Sequence, residues 1–403
     1  MRERHVLAIR VGQVFDGERV IPGAGVVLAE GTRILGVQPH DMALPGGCKV
    51  AEYPDATLLP GLIDTHVHLC ADSGPGALDR LPTFSDEEMT AVIEHALRVH
   101  LATGVTTVRD LGDRSWAVIG WRDRNRDNAT APTVLASGPP ITSPQGHCWN
   151  MGGEAQGVEA LRSAVRERAA RGVDIVKIMA SGGANTPGTD AARPQFTVEE
   201  LRAVVEEAHA AGLPVTAHAH ALDAIRDALA AGVDAIEHCT FITSTGIDVS
   251  TATVAALVEA AVPVCPTLGI APGSVPPPAV LELMRRTGMT LEARAQTVGQ
   301  LHRAGVRLVS GSDGGISPGK RHGILPEAVI HLVDGGVSSA DALASATALA
   351  ATACGVGDRK GRVAANYDAD LLLVDGDPLS DITVVRKVAA VYVRGQLSRG
   401  PSA

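Results

Sequence analysis

The sequence predicts an α/β protein: a (β/α)8 barrel with a small β-sandwich domain built from both chain ends. From residue 58 onward, short apolar runs alternate with longer helical stretches, as in repeated βα units. Eight such runs fit within roughly 250 to 300 residues, which is the size of one barrel. Both chain ends carry short β-rich runs separated by glycine, proline and aspartate.

The bulk composition limits the classes of partner. The chain has 403 residues, 45% hydrophobic and 20% charged, so it folds as one large domain or two. Its net charge is -10 and no Lys/Arg cluster stands out, which argues against a nucleic-acid partner. No signal-peptide pattern or long apolar run is found, so we expect a cytoplasmic protein without a membrane partner. Six scattered cysteines lack CxxC spacing and predict neither a disulfide framework nor a zinc finger.

The predicted elements follow in chain order. Residues 6 to 57 form a β unit, and residues 362 to 396 return to β character. The predicted barrel strands are LLPGLIDTH, TTVRD (106–110), TVLASG (133–138), DIVKIMA (174–180), VTAHA (215–219), AIEHC (235–239), VPVCPTL (262–268) and RLVSGSD (307–313). The resulting domains are 1–57 plus 358–403 for the sandwich and 58–357 for the barrel. Two separate β extensions remain an alternative to the sandwich.

The segments between the strands carry helical periodicity. In EELRAVVEEAHAAG, the apolar residues Leu201, Val204, Val205 and Ala208 repeat at helical spacing, and Gly212 is a C-terminal stop signal. PPPAVLEL (276–283) and GGISPGKRHG (314–323) are interpreted as loops.

A pair of histidines marks the end of the first barrel strand. Residues i and i+2 of a strand share a face, so His66 and His68 in LIDTHVHL point toward one place. Two such imidazoles suit a metal ion. Alone, the two histidines could equally be surface or hydrogen-bonded residues. The residues at the ends of the other predicted strands therefore decide between these interpretations and a metal site.

Those strand ends carry further metal-binding side chains. Function gathers at the carboxyl ends of barrel strands. The candidates are His66, His68, Lys177, His218, His238 and Asp313. Each has a structural alternative, such as a salt bridge, a core hydrogen bond or a turn cap. Chance would have to place all six at strand ends of one barrel, so together they favour a metal site.

The donor types indicate a particular chemistry. Protonated lysine is a poor ligand, but CO₂ converts Lys177 to a carbamate (N6-carboxylysine) whose two oxygens can bridge two cations. Two metals share a hydroxide and lower the pKa of bound water from 15.7 to about 7. Imidazoles and oxygens suit two Zn²⁺ ions best, with Mn²⁺, Co²⁺ or Fe²⁺ as substitutes. Asp313 would ligate one metal and transfer the proton as general base and then acid.

Seven motifs together resemble the amidohydrolase superfamily. They are PGLIDTHVH, GVTTVRDLG, VKIMASGG, AHAH, IEHCTFI, GSDGG and DADLLLVDGDPL. More narrowly, they resemble the imidazolonepropionase-like and Xaa-Pro dipeptidase-like branch with a carboxylated lysine. The resemblance spans nearly the whole chain and implies the barrel with a β-sandwich from both termini. It also implies a homo-oligomer acting on a small-molecule substrate.

The resemblance assigns roles to the metal ligands. His66 and His68 would hold the more buried metal, and His218 and His238 the more exposed one. Lys177 would bridge the two metals, and Asp313 would be the catalytic acid and base. Imidazolonepropionase itself resembles a one-metal enzyme without the lysine, so Lys177 argues against that reaction.

Four further residues are candidates for substrate contact. His147 in TSPQGHCWNMGG would polarise a carbonyl or stabilise an oxyanion, or would be an ordinary loop histidine. His322 lines the pocket or fixes its loop. Arg109 binds a carboxylate or forms a buried salt bridge with Asp110. His220 stands where dipeptidase-like relatives often have tyrosine, and is assigned to the substrate pocket.

These features favour a two-metal hydrolase that cleaves an amide, of a dipeptide or N-acyl amino acid, by attack of a metal-bridging hydroxide. A carbamate, urea-type compound, lactam or phosphotriester would use the same groups. A ring deaminase is disfavoured because no glutamate stands beside the histidines of TAHAHALD and Lys177 would be unexplained. A catalytically silent relative would be expected to lose ligands, yet all six positions are filled.

Overall fold

The computed structural model describes residues 6–126 and 128–400 as a mixed α/β fold. The strands are β1 (Val6–Val14), β2 (Ala24–Glu30), β3 (Arg33–Pro39), β4 (Lys49–Pro60), β5 (Leu62–Val67), β6 (Val105–Asp110), β7 (Thr133–Ala136), β8 (Val176–Met179), β9 (Val215–Ala221), β10 (Ala235–Thr243), β11 (Gly246–Ile247), β12 (Val264–Cys265), β13 (Leu371–Asp375), β14 (Val388–Val393) and β15 (Gln396–Arg399).

Helices occupy most connections between the strands. They are α1 (Ala77–Arg80), α2 (Asp86–Ala102), α3 (Ala117–Arg124), α4 (Val158–Ala170), α5 (Val198–Ala210), α6 (Leu222–Ala231), α7 (Thr251–Glu259), α8 (Pro278–Thr287), α9 (Leu291–Arg303), α10 (Leu325–Asp334), α11 (Ser339–Ser345) and α12 (Ala348–Ala353). Short 3₁₀ turns lie at Leu81–Thr83, Trp149–Met151 and Ile382–Arg386. No helix in the described part of the chain is long and apolar enough to cross a membrane.

Both chain ends contribute to one seven-stranded sheet, in the order β15-β14-β13-β4-β1-β2-β3. β1 pairs parallel with β4 and antiparallel with β2, and β13 pairs antiparallel with β4. Ile9, Val11, Leu58 and Leu371 form part of its apolar core. The prediction that the chain ends combine is consistent with this sheet, while the two layers of a sandwich and the domain bounds stay predictions.

The remaining strands are mostly parallel. One sheet has the order β5-β6-β7, and another contains β8, β9 and β10, with β12 paired to β10. Single backbone pairings extend these sheets, joining Ile141 to Ile178, Val264 to Leu308 and Val67 to Gly314. The series of parallel neighbours therefore returns to β5, and the carboxyl ends of β5, β8, β9 and β10 come close together.

Two predicted strands differ from the structure. Residues 58–66 are divided at Gly61, and the two parts, β4 and β5, belong to different sheets. A Cβ atom at Gly61 would lie 2.2 Å from Thr106 Oγ1, so this close approach requires glycine. Residues 307–313 are not a continuous strand, since only Leu308 pairs along this stretch. The Ser312 hydroxyl donates to Asp64 instead, and Asp313 adopts a φ of 59°, which ends an extended chain.

The helices match the sequence patterns where capping is strong. In α5 the Thr197 side chain accepts from the N–H of Glu200, whose carboxylate accepts from Thr197 N–H, forming a capping box. The helix ends before Gly212, whose φ is 72°, as predicted. The loop predicted over 276–283 is wrong for its last six residues, because α8 begins at Pro278. Proline is tolerated in a first helical turn.

Candidate metal centre

Eight of the ten predicted site residues line one cavity of about 380 Å³. They are His66, His68, His147, Lys177, His218, His220, His238 and Asp313. Arg109 and His322 do not line it. The cavity lies at the carboxyl ends of the parallel strands. Period 2 within β9 turns His218 and His220 to one side, and His66 and His68 come from the end of β5 and the residue after it.

The first donor group consists of His66, His68 and Asp313, whose ligand atoms all lie within 4.8 Å of one another. His66 Nδ1 donates to Glu237 Oε2 at 2.9 Å, and His68 Nδ1 donates to the carbonyl of Gly112 at 3.0 Å. Each imidazole therefore presents a bare Nε2, at 3.5 and 3.2 Å respectively from Asp313 Oδ1. Lone pairs facing a carboxylate repel unless a proton or cation lies between them, so the group fits a metal.

The second donor group consists of His218, His220 and His238, again with ligand atoms within 4.8 Å. The ring centroids of His218 and His238 are 4.5 Å apart, and that of His66 lies 5.3 Å from His238. His218 Nε2 donates to the carbonyl of Gly182 at 3.1 Å, which leaves Nδ1 bare. The two groups are therefore neighbours, and sequence reasoning had not placed His220 among the donors.

Lys177 lies in the same cavity and is 1% exposed. Its Nζ atom has no hydrogen-bond partner among the described residues, which is costly for a buried ammonium. Burial lowers the pKa of Lys177, although the charges of Glu237 and Asp313 raise it in part. An unpartnered, readily deprotonated amine fits a lysine whose charge is removed by carboxylation or balanced by another group.

The third member of each donor group has a strained backbone. His238 has a φ of 68° and Asp313 a φ of 59°, conformations that non-glycine residues adopt at a cost of roughly 1–3 kcal/mol. Burial would raise the pKa of Asp313, but a hydrogen bond from protonated His68 and the charges of protonated His66 and His68 lower it below its ordinary value. Asp313 is therefore a carboxylate at neutral pH.

A buried carboxylate that the sequence analysis missed lies behind the first group. Glu237 Oε1 accepts from Arg109 at 3.2 Å and from Thr216 Oγ1 at 2.7 Å, while Oε2 accepts from His66. Burial would raise the pKa of Glu237, but His66, Lys177 and Arg109 together lower it below its ordinary value. Arg109 thus pairs with Glu237 rather than with Asp110, and it lies behind the cavity wall.

The other two predicted substrate residues occupy different surroundings. His147 Nδ1 lies 2.9 Å from the Thr186 hydroxyl, and its ring lies 4.6 Å from that of His218, beside the second donor group. His322 Nε2 donates to the carbonyl of Ala71 at 2.7 Å, and its Nδ1 lies 3.3 Å from His100 Nε2. These contacts tie His322 to the backbone at Ala71 and to His100, and both roles expected for it stay predictions.

Two cations also line the cavity without forming an ion pair among the described residues. Arg294 donates to the carbonyls of His238, Cys239 and Pro266, and Lys320 donates to three further carbonyls. Most of the remaining wall is aliphatic, thioether or proline side chains. The cavity therefore combines an apolar wall with positive charge that no carboxylate of residues 6–126 and 128–400 pairs with directly.

Residues 57–398 match the Amidohydrolase family, and the chain belongs to that family. It is a hydrolytic enzyme acting on carbon–nitrogen bonds. Members of the family generally use a metal centre, in agreement with the two donor groups. The resemblance deduced from the sequence motifs is confirmed.

Several characterised proteins are similar over most of their length. An ochratoxinase of Aspergillus niger is 27% identical over 391 residues, covering 85% of this chain and 76% of the relative. A crystal structure of an Xaa-Pro dipeptidase with methionine bound in its active site has a TM-score of 0.86 at 27% identity, covering 98% of this chain and 100% of the other. A prolidase complexed with N-methylphosphonate-L-proline has a TM-score of 0.82 at 28% identity, with coverage of 98% and 100%.

Proposed function

We propose that this enzyme is a binuclear metal-dependent amidohydrolase that cleaves the amide bond of a dipeptide or an N-acyl amino acid. The observation that carries the proposal is the placement of two three-donor groups beside the unpartnered Nζ of Lys177, in one cavity. One group would serve a single cation, whereas two neighbouring groups suit a pair.

The proposed architecture is a (β/α)8 barrel over 58–357 with a small β-sandwich from 1–57 and 358–403. The cycle of parallel neighbours among β5 to β12 supports the barrel. The seven-stranded sheet shared by the two chain ends supports the second domain. The Amidohydrolase match and the similarity to solved structures support the overall fold class.

In this proposal His66 and His68 would hold the inner cation and His218 and His238 the outer one, while N6-carboxylated Lys177 would offer oxygen ligands to both. Zn²⁺ suits this donor set best, with Mn²⁺, Co²⁺ or Fe²⁺ as substitutes. When bound, such cations supply Lewis acidity and lower the pKa of the attacking water.

The protein's own residues supply proton transfer and charge stabilisation. Asp313 Oδ accepts the proton of the attacking water and later delivers it to the departing amine nitrogen, as general base and then acid. The Thr186 hydroxyl can donate to His147 Nδ1, which would place an N–H at Nε2. That N–H would stabilise negative charge developing on the carbonyl oxygen.

The cavity favours a substrate with one apolar group and one anionic end. Its apolar wall, which includes Met179, Leu283 and Met284, suits an aliphatic side chain or acyl chain. The positive charges of Arg294 and Lys320 favour a carboxylate. Methionine and the proline derivative held by two similar crystal structures are both built on amino acids, which supports an amino-acid leaving group.

A ring deaminase would need a carboxylic acid facing the substrate. Glu237 is the residue next to His238, but both of its oxygens are bound by His66, Arg109 and Thr216, and it does not line the cavity. The observed position of Glu237 therefore favours hydrolysis over deamination.

The direct test is amino-acid release by the zinc-loaded protein from a library of dipeptides and N-acyl amino acids. The Asp313→Asn variant is the blank, since it keeps the side-chain shape but loses the proton acceptor. Turnover of a coherent set of substrates, absent from the variant, is expected. Silence toward every dipeptide and N-acyl amino acid, with turnover of a carbamate, lactam or phosphotriester, would overturn the proposed substrate class.

A further inference from the structure

The second donor group contains one imidazole more than the proposed function assigns to a metal. His218 and His220 are separated by one residue on β9, so both side chains lie on the same face of the strand. His238 follows from β10, the neighbouring parallel strand. The first group has a related design, with His66 on β5, His68 directly after that strand, and Asp313 as the third member. In both groups the third member has a positive φ.

The three rings of the second group are mutually close. Ring centroids lie 4.6 Å apart for His218 and His220, and 4.5 Å apart for His220 and His238. The ligand atoms of all three residues lie within 4.8 Å of one another. Small adjustments of the side chains would bring three nitrogens into the sphere of one cation.

The hydrogen bonds of Thr240 fix which nitrogen of His220 is bare. The Thr240 hydroxyl has a single proton, which it donates to the backbone carbonyl of His220 at 3.2 Å. The same oxygen lies 2.9 Å from His220 Nδ1 and must therefore accept the proton of that nitrogen. His220 Nε2 is consequently a lone-pair donor on the cavity side.

A substrate carboxylate would need a donor, which a bare Nε2 is not. The hydroxyl of a tyrosine at this position could donate to an anionic group, but neutral His220 in this tautomer cannot. The orientation set by Thr240 therefore argues against the substrate contact predicted for His220. It favours metal ligation, in which a second hydrogen bond commonly orients each histidine.

We propose that His220 is a third imidazole ligand of the outer cation, together with His218 and His238. This inference rests on the proposed metal centre and changes its ligand set. It also narrows the choice of metal, since three imidazoles favour Zn²⁺, Co²⁺, Ni²⁺ or Cu²⁺ over the more oxygen-seeking Mn²⁺. The inner position, with Asp313 as a ligand, remains the more tolerant of Mn²⁺.

The test is a Co²⁺ titration of the metal-free full-length protein, followed by equilibrium dialysis and the visible absorption of bound cobalt. Wild type should bind two ions per chain. His220→Gln should bind one of them at least 10- to 100-fold more weakly, because losing a ligand should cost no less than losing a hydrogen bond to one. The matched control is His147→Asn, a cavity histidine next to His218 that belongs to neither donor group, and it should retain both ions.

The outcomes separate this inference from the proposed function. Unchanged affinity and an unchanged cobalt spectrum in His220→Gln would overturn the ligand assignment and leave the binuclear centre intact. Failure of wild type to bind cobalt would overturn both. If His220→Gln does not fold, proton NMR of the wild-type cobalt protein decides whether His220 is a metal ligand. Five shifted imidazole N–H signals, from His66, His68, His218, His220 and His238, support the assignment, and four contradict it.

Discussion

Glu237 Oε2 lies 2.9 Å from His66 Nδ1, and both side chains are fully or almost fully buried. The opposite oxygen of the carboxylate accepts from Arg109. Glu237 thus sets the tautomer of His66 and neutralises a buried guanidinium at the same time. Glu237 thereby links Arg109, which lies behind the cavity wall, to His66 of the first donor group.

Glu237→Gln should weaken both metal binding and the fold. A neutral amide orients His66 less well, so affinity for the inner metal should fall about 10- to 100-fold. It also removes the anionic partner of the buried Arg109 guanidinium, which should lower the free energy of unfolding by about 3–5 kcal/mol. Metal competition with a chelator and urea unfolding measure the two effects. Glu52→Gln, at an exposed ion pair, is the control and should change neither. A variant as stable and as metal-loaded as wild type would refute this role.

Lys177→Ala should lose most bound metal and most activity, because the bridging oxygens disappear. Short carboxylic acids should restore part of both by occupying the vacated space with oxygen ligands. Metal content by emission spectroscopy and turnover, each with and without added acetate or propionate, provide the measurement. Full metal occupancy together with normal turnover in the variant would rule out a bridge.

Arg294→Leu should reduce the enzyme's preference for a free carboxylate. A hydrogen bond or close contact with a charged group contributes about 1.5–3 kcal/mol, so free dipeptides should outperform their C-terminal amides by at least about tenfold in wild type. The ratio of kcat/KM values for the two substrate forms should fall toward one in the variant. Arg286→Leu removes an exposed arginine paired with Asp190 and serves as the control. Equal preference in all three proteins would exclude Arg294 from recognition.

His100 should make the fold sensitive to acid. Burial, and then the charge of His322, lower the pKa of His100 well below 6.5. The unfolded chain therefore binds a proton below pH 6.5 that the folded chain rejects, so stability falls as the pH drops. The loss should approach about 1.4 kcal/mol per pH unit. His100→Leu should show a shallower decline in urea unfolding between pH 7.5 and 5, and parallel curves would contradict the assignment.

The clustering of the predicted metal ligands could be anticipated from the sequence because local rules place these side chains. Period 2 puts His66 and His68 on one face, and parallel strands bring their carboxyl ends together. Glu237 was not recognised because its partner Arg109 is 128 residues away and periodicity carries no information about that distance. Arg294 lies on α9, where an arginine in a helix gives no sign that it reaches the carbonyls of β10.

The secondary-structure elements, too, divide into those that local sequence signals predict and those that long-range contacts determine. The apolar spacing of α5 and its terminal glycine are local signals, and the helix forms and ends as predicted. The start of α8 was missed because consecutive prolines indicate a loop, although Pro278 occupies a first helical turn. The irregular stretch before Asp313 depends on the buried hydrogen bond between Ser312 and Asp64, which are 248 residues apart. Long-range polar contacts, rather than hydrophobic patterning, determine the backbone conformation of such segments.

The most direct measurement is anomalous diffraction at the zinc absorption edge from crystals of the zinc-loaded enzyme. The account predicts two peaks in the cavity, one against His66, His68 and Asp313 and one against the histidines of β9 and β10. It also predicts electron density for a carboxylate on Lys177 between them. A single peak with an unmodified Lys177, or no peak within the cavity, would contradict the binuclear centre.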